Sequence, residues 1–429
     1  MILIACLAVL PNCSSDSARR RLLEEQRARL TRPARSVIVI PGFGVTGLYD
    51  PVANRHVWGR PSNAVRTRYI DNLDLPFDSP EGLQQADRLI PKGFVGSRGP
   101  INVGWQLVEA LRKYGGYTKQ DSGSLETARA GNIFPFYYDW RLSASENARY
   151  LDRFIDQVRH SGGRTSTEKV DLVAHSAGGL VVETYLKLGT ASPDEPLRWS
   201  ESAARASSKV DRAILISTPL RGTVDAFRVL NEEERFLRRR FSIDIVATFR
   251  SLAELLPWNG QFLIDEEGVG IADNLLDAGS WKRLQIGPYH PDAIADAETR
   301  AGKEGMARIQ MMFDANLRRA ATWRNALNQA TPSNVPILRL AGDCVATTRL
   351  ALLRHDRSLA FYERHLHLNE QHLAAVMFEP GDGSVSASSA GGTGQPDARF
   401  CDGHQGIASD PNVHQALIRY LLSESFGIP

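Results

Sequence analysis

Apolar residues along this chain follow two different spacings. Short runs rich in β-branched side chains, each closed by turn residues, lie at 36–40, 133–137, 170–174, 213–217, 335–340 and 374–378, and each reads as a buried strand. Between them the spacing shifts to three and four. Residues 103–114 read as a helix, and a second helix opens at Ser143, where Glu146 three positions on completes a capping box. Leu151, Phe154, Ile155 and Val158 then fall on one face of it, and 413–422 repeats the pattern with Val413, Ala416, Leu417, Tyr420 and Leu421. Strand alternating with helix predicts an α/β fold, with a mostly parallel sheet covered by helices. Two stretches, about 50–99 and 223–333, break the alternation and are too long for bare connections. They read as insertions, the first a membrane or cap region and the second a cap and lid with small helices of its own.

The start of the chain differs from the rest. Residues 1–10 are nearly all apolar and a charged stretch follows, so 1–35 reads as an export signal and linker and 36–425 as one large domain carrying both insertions. The apolar run is shorter than the roughly 20 residues that span a bilayer. Leu3-Ile4-Ala5-Cys6 resembles a bacterial lipoprotein box and Leu10-Pro11-Asn12-Cys13 a poorer one, which leaves a lipid-anchored form and a cleaved, periplasmic or secreted form as alternatives. The other two cysteines, Cys344 and Cys401, are an even number in a chain read as exported, and stand either as a disulfide or as two buried thiols. With 51 basic against 49 acidic residues mixed along the chain, the net charge of +2 offers no electrostatic footprint for nucleic acid. No metal-binding spacing of histidine or cysteine and no phosphate-loop glycine pattern occurs, so no metal or cofactor is expected.

The chemistry concentrates at Ala174-His175-Ser176-Ala177-Gly178, where a buried strand runs through a tight turn into a helix. A nucleophile elbow needs small residues two positions either side of the serine, because larger ones collide with neighbouring backbone. Ala174 stands where glycine is usual and is still small. Ser176 is thus the candidate nucleophile, with the Ala177 amide as one oxyanion donor. The turn after the first strand, Pro41-Gly42-Phe43-Gly44, offers Phe43 or Gly44 as the second. In an α/β-hydrolase the acid and the base follow the serine in that order, on loops after late strands. Asp382, in Gly381-Asp382-Gly383-Ser384-Val385, and His404 fit, with Asp343 the rival acid and His367, His372 and His414 the rival bases.

Together these motifs resemble the lecithin:cholesterol acyltransferase family, which includes lysosomal phospholipase A and phospholipid:diacylglycerol acyltransferase. The marks are Ile40-Pro41-Gly42-Phe43-Gly44, Val57-Trp58-Gly59, Tyr138-Asp139-Trp140-Arg141, the Ser176 turn, Thr218-Pro219-Leu220-Arg221-Gly222-Thr223, Gly381 to Val385 and the segment around His404. The tetrapeptide Tyr138 to Arg141 is the most telling of them. The resemblance implies an α/β-hydrolase with cap and lid that moves an acyl chain from a glycerophospholipid through Ser176 to water or an alcohol such as a sterol. It also implies a Cys344 to Cys401 disulfide, and it makes Trp140, Leu220, Ile245 and Phe249 candidate substrate contacts. Ile243, Ile245, Val246 and Phe249 either open onto a lipid surface or fill the core of the cap. The expected partner is a bilayer or lipid aggregate, and no obligate protein partner is evident. The chain lacks the early disulfide of the vertebrate members, so 50–99 is organised differently. The competing readings are a neutral ester lipase and a non-catalytic lipid-binding envelope protein.

Overall fold

The computed structural model describes residues 35–59, 73–76, 89–95, 103–118, 132–161, 167–232, 234–236, 239–258, 262–362, 366 and 368–423. The expected export signal lies outside the described residues. In chain order the strands used below are β1 (Val37–Ile40), β2 (Thr46–Asp50), β3 (Arg55–Trp58), β4 (Ile90–Phe94), β5 (Ile133–Pro135), β6 (Val170–His175), β7 (Val210–Ile216), β8 (Ile337–Gly342), β9 (Val345–Thr348), β10 (Phe378–Gly381) and β11 (Ala398–Phe400). Six of them form the central sheet in the order β11, β8, β7, β6, β1, β5, and every pairing is parallel.

Side chains alternate across a strand, so each strand feeds two cores. Ile38, Ile40, Leu172, Ala174 and Leu215 point to one face, where α2 (Ala144–His160) and α3 (Ala177–Leu188) cover them with Leu151, Ile155, Leu180 and Tyr185. Val37, Val39, Val173, Ile214, Ile216, Leu338 and Leu340 point to the other. There α1 (Val103–Gly115) brings Leu107, Val108 and Leu111, and α9 (Pro411–Leu422) brings Val413, Leu417 and Leu421. Because both faces are covered, the central strands read as continuous apolar runs in the sequence. Each such side chain contributes roughly 1.5–3 kcal/mol on full burial. Ser143 caps α2 with both halves of the expected box in place.

One expected strand is not there. Residues 374–378 form a one-turn helix, Ala374–Met377, running into β10, which pairs antiparallel with β9 outside the central sheet. Alanine and methionine favour helix, and a single turn lets Leu373 and Met377 bury together while Val376 stays exposed. The sixth central strand is instead β11, an edge strand in which Arg399 is exposed and no apolar run announces it.

The first insertion supplies β3 and β4, which flank β2 at its entrance in an antiparallel sheet. The second begins with α5 (Val224–Val229) and a short hairpin of Glu234–Phe236 with Arg239–Phe241. It continues through α6 (Arg250–Leu255) to α7 (Pro291–Gln329), two helical segments that meet at Gly302, where φ is 73° and the backbone leaves the helix. The expected small helices are present at Val224–Val229, Ile243–Val246, Arg250–Leu255 and Ala278–Leu284, and the long α7 runs beside them. Asn316 on α7 donates to the carbonyls of Ala247 and Thr248, and the Trp323 indole donates to the Thr184 hydroxyl on α3, seating the cap on the core. Among the described residues no helix is long and apolar enough to cross a membrane.

Candidate active site

Ser176 sits between β6 and α3 with φ 55° and ψ −133°, a backbone conformation that side chains rarely adopt. Neighbouring elements impose it. The Ser176 N–H donates to the Ile216 carbonyl of β7 at 2.9 Å, and a Cβ at Gly178 would lie 2.4 Å from the Pro41 carbonyl oxygen. That clash is the physical content of the small-residue rule: the turn is pressed against the loop after β1. A Cβ on Gly42 would in turn lie 2.7 Å from the Ser176 Cβ, so glycine there lets the two loops meet.

His404 reaches the serine from the far end of the chain, with its Nε2 2.9 Å from Ser176 Oγ and its Nδ1 2.8 Å from Asp382 Oδ2. Asp382 is buried, and its other oxygen accepts from the Ser384 N–H at 3.0 Å and the Val385 N–H at 2.7 Å. The His404 N–H donates to the Asp382 carbonyl, so backbone and side chain orient the ring together. Burial disfavours the charged form of His404, but the Asp382 charge and hydrogen bond, with Asp225 adding to them, outweigh it and hold the imidazole above its ordinary pKa. Burial likewise works against ionised Asp382, yet His404 and the two backbone N–H groups keep its carboxyl below the ordinary range.

The structure thus brings Ser176, His404 and Asp382 together and leaves the rivals elsewhere. His372 bonds the Glu266 carbonyl and His414 the Ala408 carbonyl, while His367 is outside the described residues. Asp343 follows β8, with its N–H on the Phe400 carbonyl. Cys344 and Cys401 form a disulfide with their Cα atoms 5.0 Å apart, joining the chain after β8 to the segment that leads into His404. Sequence reasoning passed over His175. This buried histidine donates from Nε2 to the His404 carbonyl at 2.9 Å, and burial, then the neighbouring His404 charge, drives its pKa down to about 3. It is a neutral prop under the His404 loop, and its signal was its place beside the serine.

The Phe43, Gly44 and Ala177 N–H groups have no backbone partner among the described residues, and the Gly42 contact sets that turn beside Ser176. Two amides near one oxygen are what an oxyanion requires. The turn is braced by the tetrapeptide that stood out in the sequence. Tyr138 donates its hydroxyl to the Pro41 carbonyl at 2.8 Å, and the Trp140 indole donates to the Thr46 carbonyl of β2 at 2.9 Å. The Asp139 carboxylate holds buried Arg141 at 2.6 Å, and Arg141 donates on to the Leu73 carbonyl at 2.8 Å. The Ser251 hydroxyl of α6 donates to the Trp140 carbonyl, so four residues join the Pro41 to Gly44 turn, the first insertion and the cap.

Trp140, Ile245 and Phe249 are buried, and Leu220 is partly buried. Trp140 packs edge-on to Phe43, with ring centroids 4.6 Å apart, and to Phe249 at 5.5 Å. In this conformation Ile245, Val246 and Phe249 belong to the core that the cap shares with the sheet.

Residues 125–290 match the model of the lecithin:cholesterol acyltransferase family. The match takes in Tyr138 to Arg141, the Ser176 turn and the start of the cap, and ends before Asp382 and His404. An uncharacterized protein of Saccharomyces cerevisiae is 23% identical over 151 residues, covering 35% of this chain and 20% of that protein. The chain thus spans about a fifth of the length of that curated relative. Among solved structures, one of a Tle4-Tli4 complex aligns with a TM-score of 0.56 and 15% identity, covering 91% of this chain and 98% of the other. The mature lipase BlEst2 of Bacillus licheniformis aligns with a TM-score of 0.38 and 12% identity, over 92% and 94%. The fold is that of an α/β-hydrolase.

Proposed function

From an α/β-hydrolase whose residues 125–290 match the lecithin:cholesterol acyltransferase family, we propose a serine-dependent lipid acyl hydrolase or acyltransferase acting on glycerophospholipids. The observation that carries this reading is the hydrogen-bonded series Ser176, His404, Asp382, at 2.9 and 2.8 Å, on a strained elbow facing a turn whose Phe43 and Gly44 amides have no backbone partner among the described residues. Ser176 Oγ attacks the ester carbonyl carbon while His404 Nε2 takes its proton, and Asp382 stabilises the resulting imidazolium. The Ala177 amide, with that of Phe43 or Gly44, receives the oxyanion. As the tetrahedral adduct collapses, His404 returns the proton to the leaving lysolipid oxygen, and the acyl group remains as an ester on Ser176. Water or an alcohol then gives its proton to His404 and attacks that ester, and as the second adduct collapses His404 returns the proton to Ser176 Oγ, freeing the acid or the new ester.

The reading carries an envelope or extracellular setting with it. Supporting that setting are the apolar start of the chain and the Cys344 to Cys401 disulfide, a bond that persists in oxidising compartments. Opening of the cap would let Ile245 and Phe249 meet an acyl chain.

The test incubates the protein and its Ser176→Ala variant with phosphatidylcholine liposomes, with and without cholesterol, and resolves products by mass spectrometry. Serine-dependent lysolipid with free fatty acid is expected, and steryl ester in addition identifies an alcohol acceptor. Absence of serine-dependent lipid turnover overturns the phospholipid reading and directs the assay to neutral esters.

A further inference from the structure

The loop that carries Asp382 is clasped to the root of the cap. Thr223, the N-cap of α5, donates its hydroxyl to the Ser384 carbonyl at 2.6 Å, and the Ser384 hydroxyl donates to Asp225 Oδ2 at 2.5 Å. A second pair of contacts runs beside the first: the Ser389 hydroxyl accepts from the Arg221 N–H at 3.2 Å and donates to the Gly222 carbonyl at 2.7 Å. The clasp ends on Asp382, because the Ser384 N–H is one of its two backbone donors. Whatever holds Ser384 therefore also sets the direction of the carboxylate that faces His404.

We propose that Asp225 is a positioning residue for the Asp382 and His404 pair, fixing the acid loop through the Ser384 hydroxyl and adding its own negative charge to that of Asp382 at the imidazole. The proposal rests on Ser176, His404 and Asp382 being the reacting series. Among the described residues, the titratable and charged groups that act on His404 are Asp382 from the loop after β10, His175 from the end of β6 and Asp225 from α5, and Arg228 lies 3.6 Å from Asp225. His175 is neutral through the working range, so the two carboxylates set the field. Both raise the His404 pKa. Since the neutral imidazole is the base, removing the Asp225 charge moves the acid limb of kcat/KM to lower pH. A side chain that merely stabilised the loop would leave that limb where it is.

The experiment uses the full chain and follows hydrolysis of p-nitrophenyl butyrate from about pH 5 to about pH 9, with fluorophosphonate labelling of Ser176 alongside. Asp225→Asn is expected to lower kcat by about tenfold with KM little changed, and to shift the acid limb down by roughly half a pH unit. Ser384→Ala, which keeps the Asp225 charge and breaks its bridge, is expected to lower kcat with the limb unmoved. Asp225→Glu is expected to restore the limb. A folded Asp225→Asn protein with an unmoved limb or an unchanged kcat overturns the proposal. If that variant does not fold, an unchanged kcat in Ser384→Ala overturns it. A wild-type protein that shows neither labelling nor serine-dependent hydrolysis overturns the reading of the reacting series and this proposal with it, whereas a reactive wild type beside an unaffected Asp225→Asn overturns this proposal alone.

Discussion

Ser176 holds a left-handed backbone conformation that costs of order 1–3 kcal/mol, and surrounding loops keep it there. The strain is a property of the turn and not of the hydroxyl, so Ser176→Ala should unfold at the same temperature as the parent while losing fluorophosphonate labelling altogether. Asp382 and Asp343 both follow strands in the acid region, and geometry separates them: only Asp382 is hydrogen-bonded to His404. Asp382→Asn should lower kcat by about 10⁴-fold, since the amide no longer selects the right imidazole tautomer, and Asp343→Asn should stay close to wild type. The raised His404 pKa has a definite sign in the pH profile. Because the base must be neutral, kcat/KM should fall, as pH is lowered, at a value above the ordinary histidine pKa of about 6.5. A limb below that value would show that the Asp382 carboxylate does not act on His404 in solution.

At the scale of elements, the Tyr138 to Arg141 segment acts as a junction. It ties together the Pro41 to Gly44 turn, β2 and α6 by hydrogen bonds from buried or partly buried groups, and a buried acceptor left without its donor costs about 1–3 kcal/mol. Trp140→Phe strands the Thr46 carbonyl in this way, and urea unfolding should register a loss of at least that order together with slower acylation of Ser176. The cap has a titratable junction too. Burial raises the pKa of Glu254 on α6 from an ordinary 4.5 to about 8, with the Ala144 N–H and Arg324 only partly offsetting it. A group that holds its proton more tightly when folded supports stability fully below its unfolded pKa, and that support is lost as pH rises through the folded one. Thermal stability should therefore decline between about pH 4.5 and 8 in the parent, and Glu254→Gln should flatten the decline; an equally steep Gln variant would assign it to other groups.

At the scale of the whole molecule, the hydrogen-bonded series of Ser176, His404 and Asp382 is assembled from three distant parts of the chain. The all-parallel sheet carries β6 together with β8 and β11, the separate antiparallel pair of β9 and β10 presents the Asp382 loop, and the disulfide fastens the segments that follow β8 and β11. It closes a loop of 57 residues, for which chain entropy gives roughly 4 kcal/mol. The paired Cys344→Ser and Cys401→Ser change should thus lower Tm, and it should lower kcat as well, because Cys401 stands on the approach to His404. A lower Tm with full activity at low temperature would limit the disulfide to stability.

What the amino-acid sequence determined by itself was local or periodic. Continuous apolar runs identified the doubly covered strands, the capping box placed the start of α2, and small residues flanking Ser176 announced the elbow, because each follows from contacts within a few residues. Asp382 and His404 were legible through chain order and glycine-bearing loops, but their meeting at hydrogen-bond distance was not. Tertiary structure alone decided the rest. The edge strand β11 lacks an apolar run because Arg399 faces solvent and its neighbours are only partly buried, and 374–377 turned helical because burying Leu373 with Met377 outweighed strand propensity. The long helix α7, the support of His404 by His175 and the clasp of Asp225 on Ser384 depend on partners tens to hundreds of residues away. Hydrogen bonds of that reach leave no periodic trace in the chain, since they are specified by where the folded backbone brings single polar groups.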